Sequence, residues 1–171
     1  METWPIQRIV HRDEAVDVDE HMRAGDGLWA IGDVVGKGAF THMSMYQSAI
    51  CVRDVLEKSG RIDFVVNTAG ILPRGRLDEA SDETIYTATE INYIAPILIA
   101  QELFPYLRET RGSLLLFTSS SYTRGRSGYS LYSSAKAAVV NLTQALADEW
   151  SADGVRVNCI NPERTGTPMR T

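Results

Sequence analysis

The sequence predicts an α/β fold with a mostly parallel sheet and helices packed against it in three layers. From about Arg61 onward, short apolar runs alternate with segments of helical length and amphipathic spacing. The apolar runs are nearly continuous, which is typical of parallel strands that are buried on both faces. A chain of 171 residues, 44% of them hydrophobic, is also long enough to bury a core of this kind.

The elements of this part of the chain follow from the pattern one after another. They are a strand over residues 62–66, a helix over 81–92 that 95–108 extend, a strand over 113–118, a long helix over 131–150 and a strand over 155–160. Strands that alternate with helices favour a parallel sheet with crossover connections.

The first sixty residues are organised around a glycine-rich turn. Residues 27–31 can form a strand and residues 41–58 have helical spacing, with Gly32, Gly36 and Gly38 between them. A right-handed crossover to residues 62–66 would add this strand to the same sheet. Gly32 and Asn67 are only 35 positions apart, which leaves room for one helix and no further strand–helix unit.

Composition excludes several classes of partner. A net charge of −5 argues against binding to nucleic acid or an anionic membrane, and no apolar run reaches membrane-spanning length. Cys51 and Cys159 are expected to be separate buried thiols, and the three scattered histidines predict no metal site. A cytoplasmic location is expected.

Three side chains form a candidate catalytic group. Tyr132 and Lys136 lie one turn apart on the predicted helix. A positive charge one turn from a phenol favours its ionised form, which suits proton exchange with an alcohol or a carbonyl. Ser119 follows a predicted strand, at the sheet edge where open α/β folds bind ligands. The alternatives are a chance spacing on an amphipathic helix and an ordinary serine-rich turn.

Two further segments contain candidate site residues. Asn67, Thr68, Ala69 and Gly70 end the first strand in small residues, which let the backbone approach a cofactor closely. Asn92 falls within a predicted helix, where an amide more often marks a local kink unless it anchors a proton-relay water.

Together with the closing Asn161-Pro162, these ordered motifs resemble the short-chain dehydrogenase/reductase superfamily over about residues 56–171. The resemblance implies a Rossmann-like fold and NAD(P)-dependent reduction of a carbonyl group, with NAD or NADP as cofactor. It implies a catalytic tetrad of Asn92, Ser119, Tyr132 and Lys136, in which Tyr132 is the acid/base, Ser119 positions the substrate oxygen and Asn92 anchors a relay. The cofactor-binding residues that follow are Gly32, Gly36, Gly38, Asn67, Ala69, Gly70, Tyr132, Lys136, Pro162, Thr165 and Thr167.

A closer resemblance concerns the substrate. Residues 117–126 and the Pro162-Glu-Arg-Thr165 variant are similar to the reductase domain of bifunctional ribulose-5-phosphate reductase/CDP-ribitol pyrophosphorylases, which implies a keto-sugar phosphate. Arginine pairs in three strand-end loops point the same way, because guanidinium groups suit phosphate. The candidate substrate-binding residues are Arg74, Arg124, Arg126 and Arg164. The alternative is a set of solvated surface arginines.

Residues 15–56 carry a second resemblance, to the FAD-contacting motif of pyridine nucleotide-disulfide oxidoreductases, with Asp33 at the position of the aspartate that bonds the flavin's ribityl chain. FAD is nevertheless not expected, because the nucleotide-binding unit and the redox cysteines of that family are absent. The predicted organisation is an N-terminal segment, 1–55, joined to a catalytic half, 56–171, that is also abbreviated after its last strand.

Three alternatives for function remain: an active reductase, a truncated or recombined chain with an incomplete cofactor site, and a flavin-binding fragment. By resemblance, the chain is expected to form a homodimer or a homotetramer.

Overall fold

The computed structural model describes residues 17–25, 28–30, 51–55, 57–58 and 60–162. The chain divides into two compact units, Met1–Gly60 and Arg61–Thr171.

In the first unit, β1 (Arg23–Gly25) and β2 (Leu28–Trp29) pair antiparallel in a two-stranded sheet. Residues 51–55 are helical, as the spacing of residues 41–58 predicted for that part. The strand expected within 27–31 is present, but it pairs with β1 instead of joining a parallel crossover. β1 and β2 are neighbours in the chain, and antiparallel strands need only a two-residue connection, so this pairing can form locally.

A buried carboxylate holds the described elements of this unit together. Asp54 accepts hydrogen bonds from the Arg23 guanidinium and from Trp29 Nε1 at 2.9 Å. The Arg23 hydrogen bond holds the pKa of Asp54 well below its usual range. One carboxylate therefore links β1, β2 and the helical residues 51–55.

The second unit contains the parallel sheet. Its elements are β3 (Phe64–Asn67), α1 (Asp82–Thr89), a π-helical segment (Glu90–Ile94), α2 (Ala95–Thr110), β4 (Ser113–Phe117), α3 (Ser130–Glu149) and β5 (Arg156–Ile160). The strand order is β3-β4-β5, and both pairings are parallel. The α/β class and the three strands and long helices are confirmed, with ends within a few residues of those predicted.

Local signals explain where these elements begin and end. Ser81 Oγ accepts a hydrogen bond from Thr84 N–H and caps α1. Helix α2 ends where Arg111 adopts a left-handed conformation with φ of 51°, and Gly112 N–H closes the turn by donating to Leu107 O at 2.8 Å. A Cβ on Gly112 would lie 2.6 Å from the Asp63 carbonyl oxygen, so the connection into β4 requires glycine.

The core lies between the sheet and the two long helices. Both crossovers run the same way across the sheet, so right-handed connections bring α2 and α3 to the same face. Leu114, Leu116 and Val157 are buried on that face. Phe64, Val66 and Ile160 alternate with less exposed neighbours along their strands and remain substantially exposed.

Candidate active site

The site is built around the buried ammonium group of Lys136 on α3. The residue is only 5% exposed, and its Nζ donates a hydrogen bond to the carbonyl oxygen of Phe117 at 2.9 Å. Burial lowers the pKa of Lys136 to about 8, because a poorly hydrated site disfavours the charged form. The end of β4 therefore holds a lysine whose charged form is disfavoured by burial.

Tyr132 lies one helical turn before Lys136, as the spacing predicted. The Lys136 Nζ lies 5.7 Å from the centre of the Tyr132 ring, within the range of a cation–π contact. The tyrosine is partly buried. The two side chains are thus close enough for the lysine charge to act on the phenol.

Ser119 follows β4 and the buried Thr118. Its Oγ accepts hydrogen bonds from Ser121 N–H at 3.3 Å and from Ser121 Oγ at 3.1 Å. Since both bonds use the oxygen as acceptor, the Ser119 hydroxyl proton can still be donated to another group. The serine-rich turn exists, as a 3₁₀ segment over Ser120–Tyr122, and it orients Ser119.

Asn92 is fully buried in the π-helical segment. Its side-chain amide forms two bonds with one residue, accepting from Ile71 N–H at 3.1 Å and donating to Ile71 O at 2.9 Å. The amide therefore holds the loop after β3 against the helix. The sequence indicated a kink or a relay anchor here, and the amide itself is engaged in a backbone clasp.

The loop after β3 comes close to both of these side chains. A Cβ built on Gly70 would lie 3.2 Å from Asn92 Oδ1 and 3.4 Å from Lys136 Nζ, so glycine permits this approach. Asn67 is buried, and its Oδ1 accepts from Ala69 N–H at 3.0 Å, which fixes the turn. The structure thus gathers Gly70, Asn92 and Lys136 at the carboxyl end of the sheet.

The predicted substrate arginines separate into groups. Arg74 and Arg76 line a cavity of about 290 Å³ together with Ser130, which begins α3 two residues before Tyr132. Arg76 is also engaged in a two-pronged ion pair with Asp78. Arg124 and Arg126 are exposed and do not line this cavity.

Several predicted site residues belong to other parts of the chain. Gly32, Asp33, Gly36 and Gly38, and on the C-terminal side Arg164, Thr165 and Thr167, lie outside the described residues. Pro162 is described and partly buried. The flavoprotein resemblance of residues 15–56 stays a prediction.

Two further kinds of feature concern metal binding and membrane insertion, and both statements apply to the described residues. They contain no group of three or more histidine, cysteine, aspartate or glutamate side chains that could hold a metal ion. None of the helices in this part of the chain has the length and apolar character needed to cross a membrane.

Comparison with known proteins places this geometry in a family. The family model described as enoyl-(acyl carrier protein) reductase matches residues 44–171. The chain belongs to the short-chain dehydrogenase/reductase family. Solved structures agree: a 3-ketoacyl-(acyl-carrier-protein) reductase from Brucella melitensis, complexed with NADH, matches with a TM-score of 0.68 and 27% identity over 72% of this chain and 53% of its own.

This chain is also similar in sequence to curated proteins of known name. The bifunctional ribulose 5-phosphate reductase/CDP-ribitol pyrophosphorylase Bcs1 of Haemophilus influenzae is 53% identical over 118 residues, which are 69% of this chain and 25% of that protein. The L-fucose dehydrogenase of Mus musculus is 35% identical over 119 residues, 69% of this chain and 44% of its own length. The chain therefore spans a quarter to less than half of these two relatives.

Sequence reasoning missed two groups of the site. The Phe117 carbonyl holds the Lys136 ammonium, and the buried Thr118 hydroxyl donates to the Lys136 carbonyl oxygen at 2.9 Å. A backbone carbonyl leaves no signal in the sequence. Thr118 had one, because it is a polar residue ending an otherwise apolar strand directly before Ser119.

Proposed function

We propose that the chain is the catalytic part of an NAD(P)-dependent oxidoreductase that reduces a carbonyl group by hydride transfer. The observation that carries the proposal is the buried Lys136 ammonium, held at the end of β4 and 5.7 Å from the Tyr132 ring. Membership of the short-chain dehydrogenase/reductase family supports it.

The reduced nicotinamide of NADH or NADPH would supply, when bound, the hydride that forms the new C–H bond, and would be oxidised in the process. The loop Asn67–Gly70 and the side chains of Tyr132 and Lys136 would hold it, since the small loop residues leave backbone exposed beside Lys136. Pro162, which follows β5, would contact the cofactor from the opposite side of β4 to the loop Asn67–Gly70. Roles for Gly32, Gly36, Gly38, Thr165 and Thr167 follow from the resemblance alone.

The proton chemistry falls to the chain's own side chains. Tyr132 donates its hydroxyl proton to the carbonyl oxygen as that oxygen becomes an alcohol, so one C–H and one O–H bond form. Ser119, whose proton is not engaged by Ser121, donates a hydrogen bond that orients the same oxygen. The Lys136 charge stabilises the phenolate that remains. Asn92 contributes by fixing the loop that carries Gly70.

Substitution of Tyr132 tests this chemistry. We expect Tyr132→Phe to abolish NADPH or NADH oxidation with a carbonyl substrate, lowering kcat by at least about a hundredfold, because the general acid is lost. The measurement is the rate of cofactor oxidation at saturating substrate. Tyr106→Phe on α2 is the matched control and should leave the rate unchanged. Equal rates for Tyr132→Phe and the wild type contradict the proposal.

For the substrate, we propose a keto-sugar phosphate such as ribulose 5-phosphate. The similarity to Bcs1 supports it, as does the cavity that Arg74 lines beside the start of α3. A guanidinium group at that place would pair with the phosphate while the carbonyl lies toward Tyr132. Arg124, Arg126 and Arg164 are proposed to add positive charge around the entrance.

The proposed phosphate contact makes a specific prediction. We expect Arg74→Gln to raise KM for ribulose 5-phosphate about tenfold or more, and to change KM for unphosphorylated ribulose much less, because only the former has the charged group. Arg108→Gln, at the far end of α2, serves as the matched control. Equal effects of Arg74→Gln on both ketoses would contradict a phosphate contact and leave the reductase chemistry intact.

A further inference from the structure

Thr118 occupies the position between β4 and Ser119, and it is only 5% exposed. Its backbone N–H donates to the carbonyl oxygen of Ile160 at 2.9 Å, and its Oγ1 donates to the carbonyl oxygen of Lys136 at 2.9 Å. One residue thus bonds the end of β4 both to the end of β5 and to the middle of α3.

Two neighbouring residues hold the two ends of Lys136. Thr118 binds its backbone carbonyl, and the carbonyl oxygen of Phe117 accepts from its Nζ at 2.9 Å. The strand end and the helical turn are therefore joined in a closed ring of hydrogen bonds. Because both bonds join the strand end to this turn, together they restrain the distance between Ser119 and the turn that carries Tyr132 and Lys136.

We propose that Thr118 is a positioning residue that sets the separation between Ser119 and the Tyr132–Lys136 turn. The inference rests on the proposed function, because it assumes that these three side chains act on one substrate oxygen. Thr118 itself is buried and acts through Lys136. Loss of its hydroxyl removes one side of the ring, while the intrahelical bond to the Lys136 carbonyl can persist.

The same helix contains a matched control. Thr143 is also buried, and its Oγ1 donates to the carbonyl oxygen of Val139 at 2.7 Å. That bond closes within α3 and connects it to no other element. Thr118→Val and Thr143→Val therefore remove the same chemical group from equally buried positions, and only the first lies between the strand end and the site.

The experiment compares Thr118→Val, Thr118→Ser and Thr143→Val in the full chain. Thr118→Val should lower kcat about tenfold to a hundredfold with a smaller change in KM, because small displacements of reacting groups slow the chemical step. Thr118→Ser, which keeps the hydroxyl, should restore most of the rate. Thr143→Val should keep kcat even where it lowers the melting temperature.

A second measurement needs neither substrate nor cofactor. The chain has only three lysines, so NMR of isotope-labelled lysine Cε atoms can follow the titration of Lys136. Thr118→Val should raise the Lys136 pKa toward its ordinary value, because a released turn gives the ammonium more water. Thr143→Val should leave it unchanged. If Thr118→Val does not fold, Thr118→Cys, a weaker donor of similar size, replaces it.

The outcomes separate this inference from the proposed function. An unchanged Lys136 pKa and an unchanged kcat in the folded Thr118 variant would overturn the inference, as would equal effects of Thr118→Val and Thr143→Val. A wild-type chain that reduces no carbonyl, while Thr118→Val still shifts the Lys136 titration, contradicts the proposed function but supports the positioning of Lys136 by Thr118.

Discussion

Lys136 is the residue at which stability and chemistry oppose each other. Its side chain is almost fully removed from water, its Nζ has one described hydrogen-bond acceptor, and burial lowers its pKa from 10.5 to about 8. A cation in such a place destabilises the folded state, and it is retained where the charge serves a function. The folded chain therefore keeps a charged group in a place where burial makes the charge unfavourable.

This opposition predicts a stabilising substitution. Between about pH 8 and 10.5 the unfolded chain binds the Lys136 proton more tightly than the folded chain, so this group makes stability rise with pH in that window. Lys136→Met should therefore be more stable than the wild type at pH 7 by about 1–3 kcal/mol, with the difference shrinking toward pH 10. Urea denaturation across this pH range measures it.

Lys58→Met is the control for this substitution, because Lys58 is exposed. It should leave the free energy of unfolding within about 0.5 kcal/mol of the wild type at each pH. A Lys136→Met chain that is less stable than the wild type at pH 7 would show that the lost bond to the Phe117 carbonyl outweighs the relief from burying a charge.

At the scale of elements, the π-helical segment Glu90–Ile94 joins two helices with a change of register. It places Asn92 where the amide bonds both backbone groups of Ile71. A regular helix would rotate this residue away from the loop, so the wider turn and the clasp depend on each other. Through the bonds between Asn92 and Ile71, the π-helical segment thereby holds the loop that carries Gly70 in place.

Removal of the clasp should be costly for the fold. Asn92→Ala leaves the Ile71 N–H and C=O without their partner in a partly buried place, and we expect it to lower the free energy of unfolding by about 2–4 kcal/mol. Asn158→Ala on β5, where the side chain is exposed, should change stability by less than about 0.5 kcal/mol. Similar losses in the two variants, measured by urea denaturation, would argue against the clasp as a stabilising element.

The sequence predicted the repetitive elements well, for a physical reason. The strands around Val65 and Leu115 are apolar runs, the strand around Val157 alternates polar and apolar residues, and α3 has continuous amphipathic spacing, so local pattern and final packing agree. In the π-helical segment the sequence predicted a helix with a possible kink at Asn92. The π-helical register itself accompanies the long-range bonds between Asn92 and Ile71, which no local pattern encodes. The Thr118 and Phe117 contacts with Lys136 join residues eighteen and nineteen positions apart, and no local period encodes them.

At the scale of the whole molecule, the described residues of the second unit include two apolar surfaces. One is the sheet face with Phe64, Val66 and Ile160, and the other is a groove of about 320 Å³ between α2 and α3. Phe104 and Trp150 stack in the groove with ring centres 4.5 Å apart, beside Leu146. Apolar surfaces of this kind commonly bind a partner, and the family resemblance implies a homodimer or a homotetramer.

We therefore expect self-association through the groove between α2 and α3. Leu146→Asp places a charge on that surface and should weaken the dimer at least about tenfold, because an unpaired charge at an apolar interface is not compensated. Sedimentation across a concentration series measures the dissociation constant. Leu98→Asp, an exposed position on α2 outside the groove, is the matched control and should leave association unchanged. If Phe64→Asp weakens association while Leu146→Asp does not, the open sheet face is the interface and the pairing of helices is wrong.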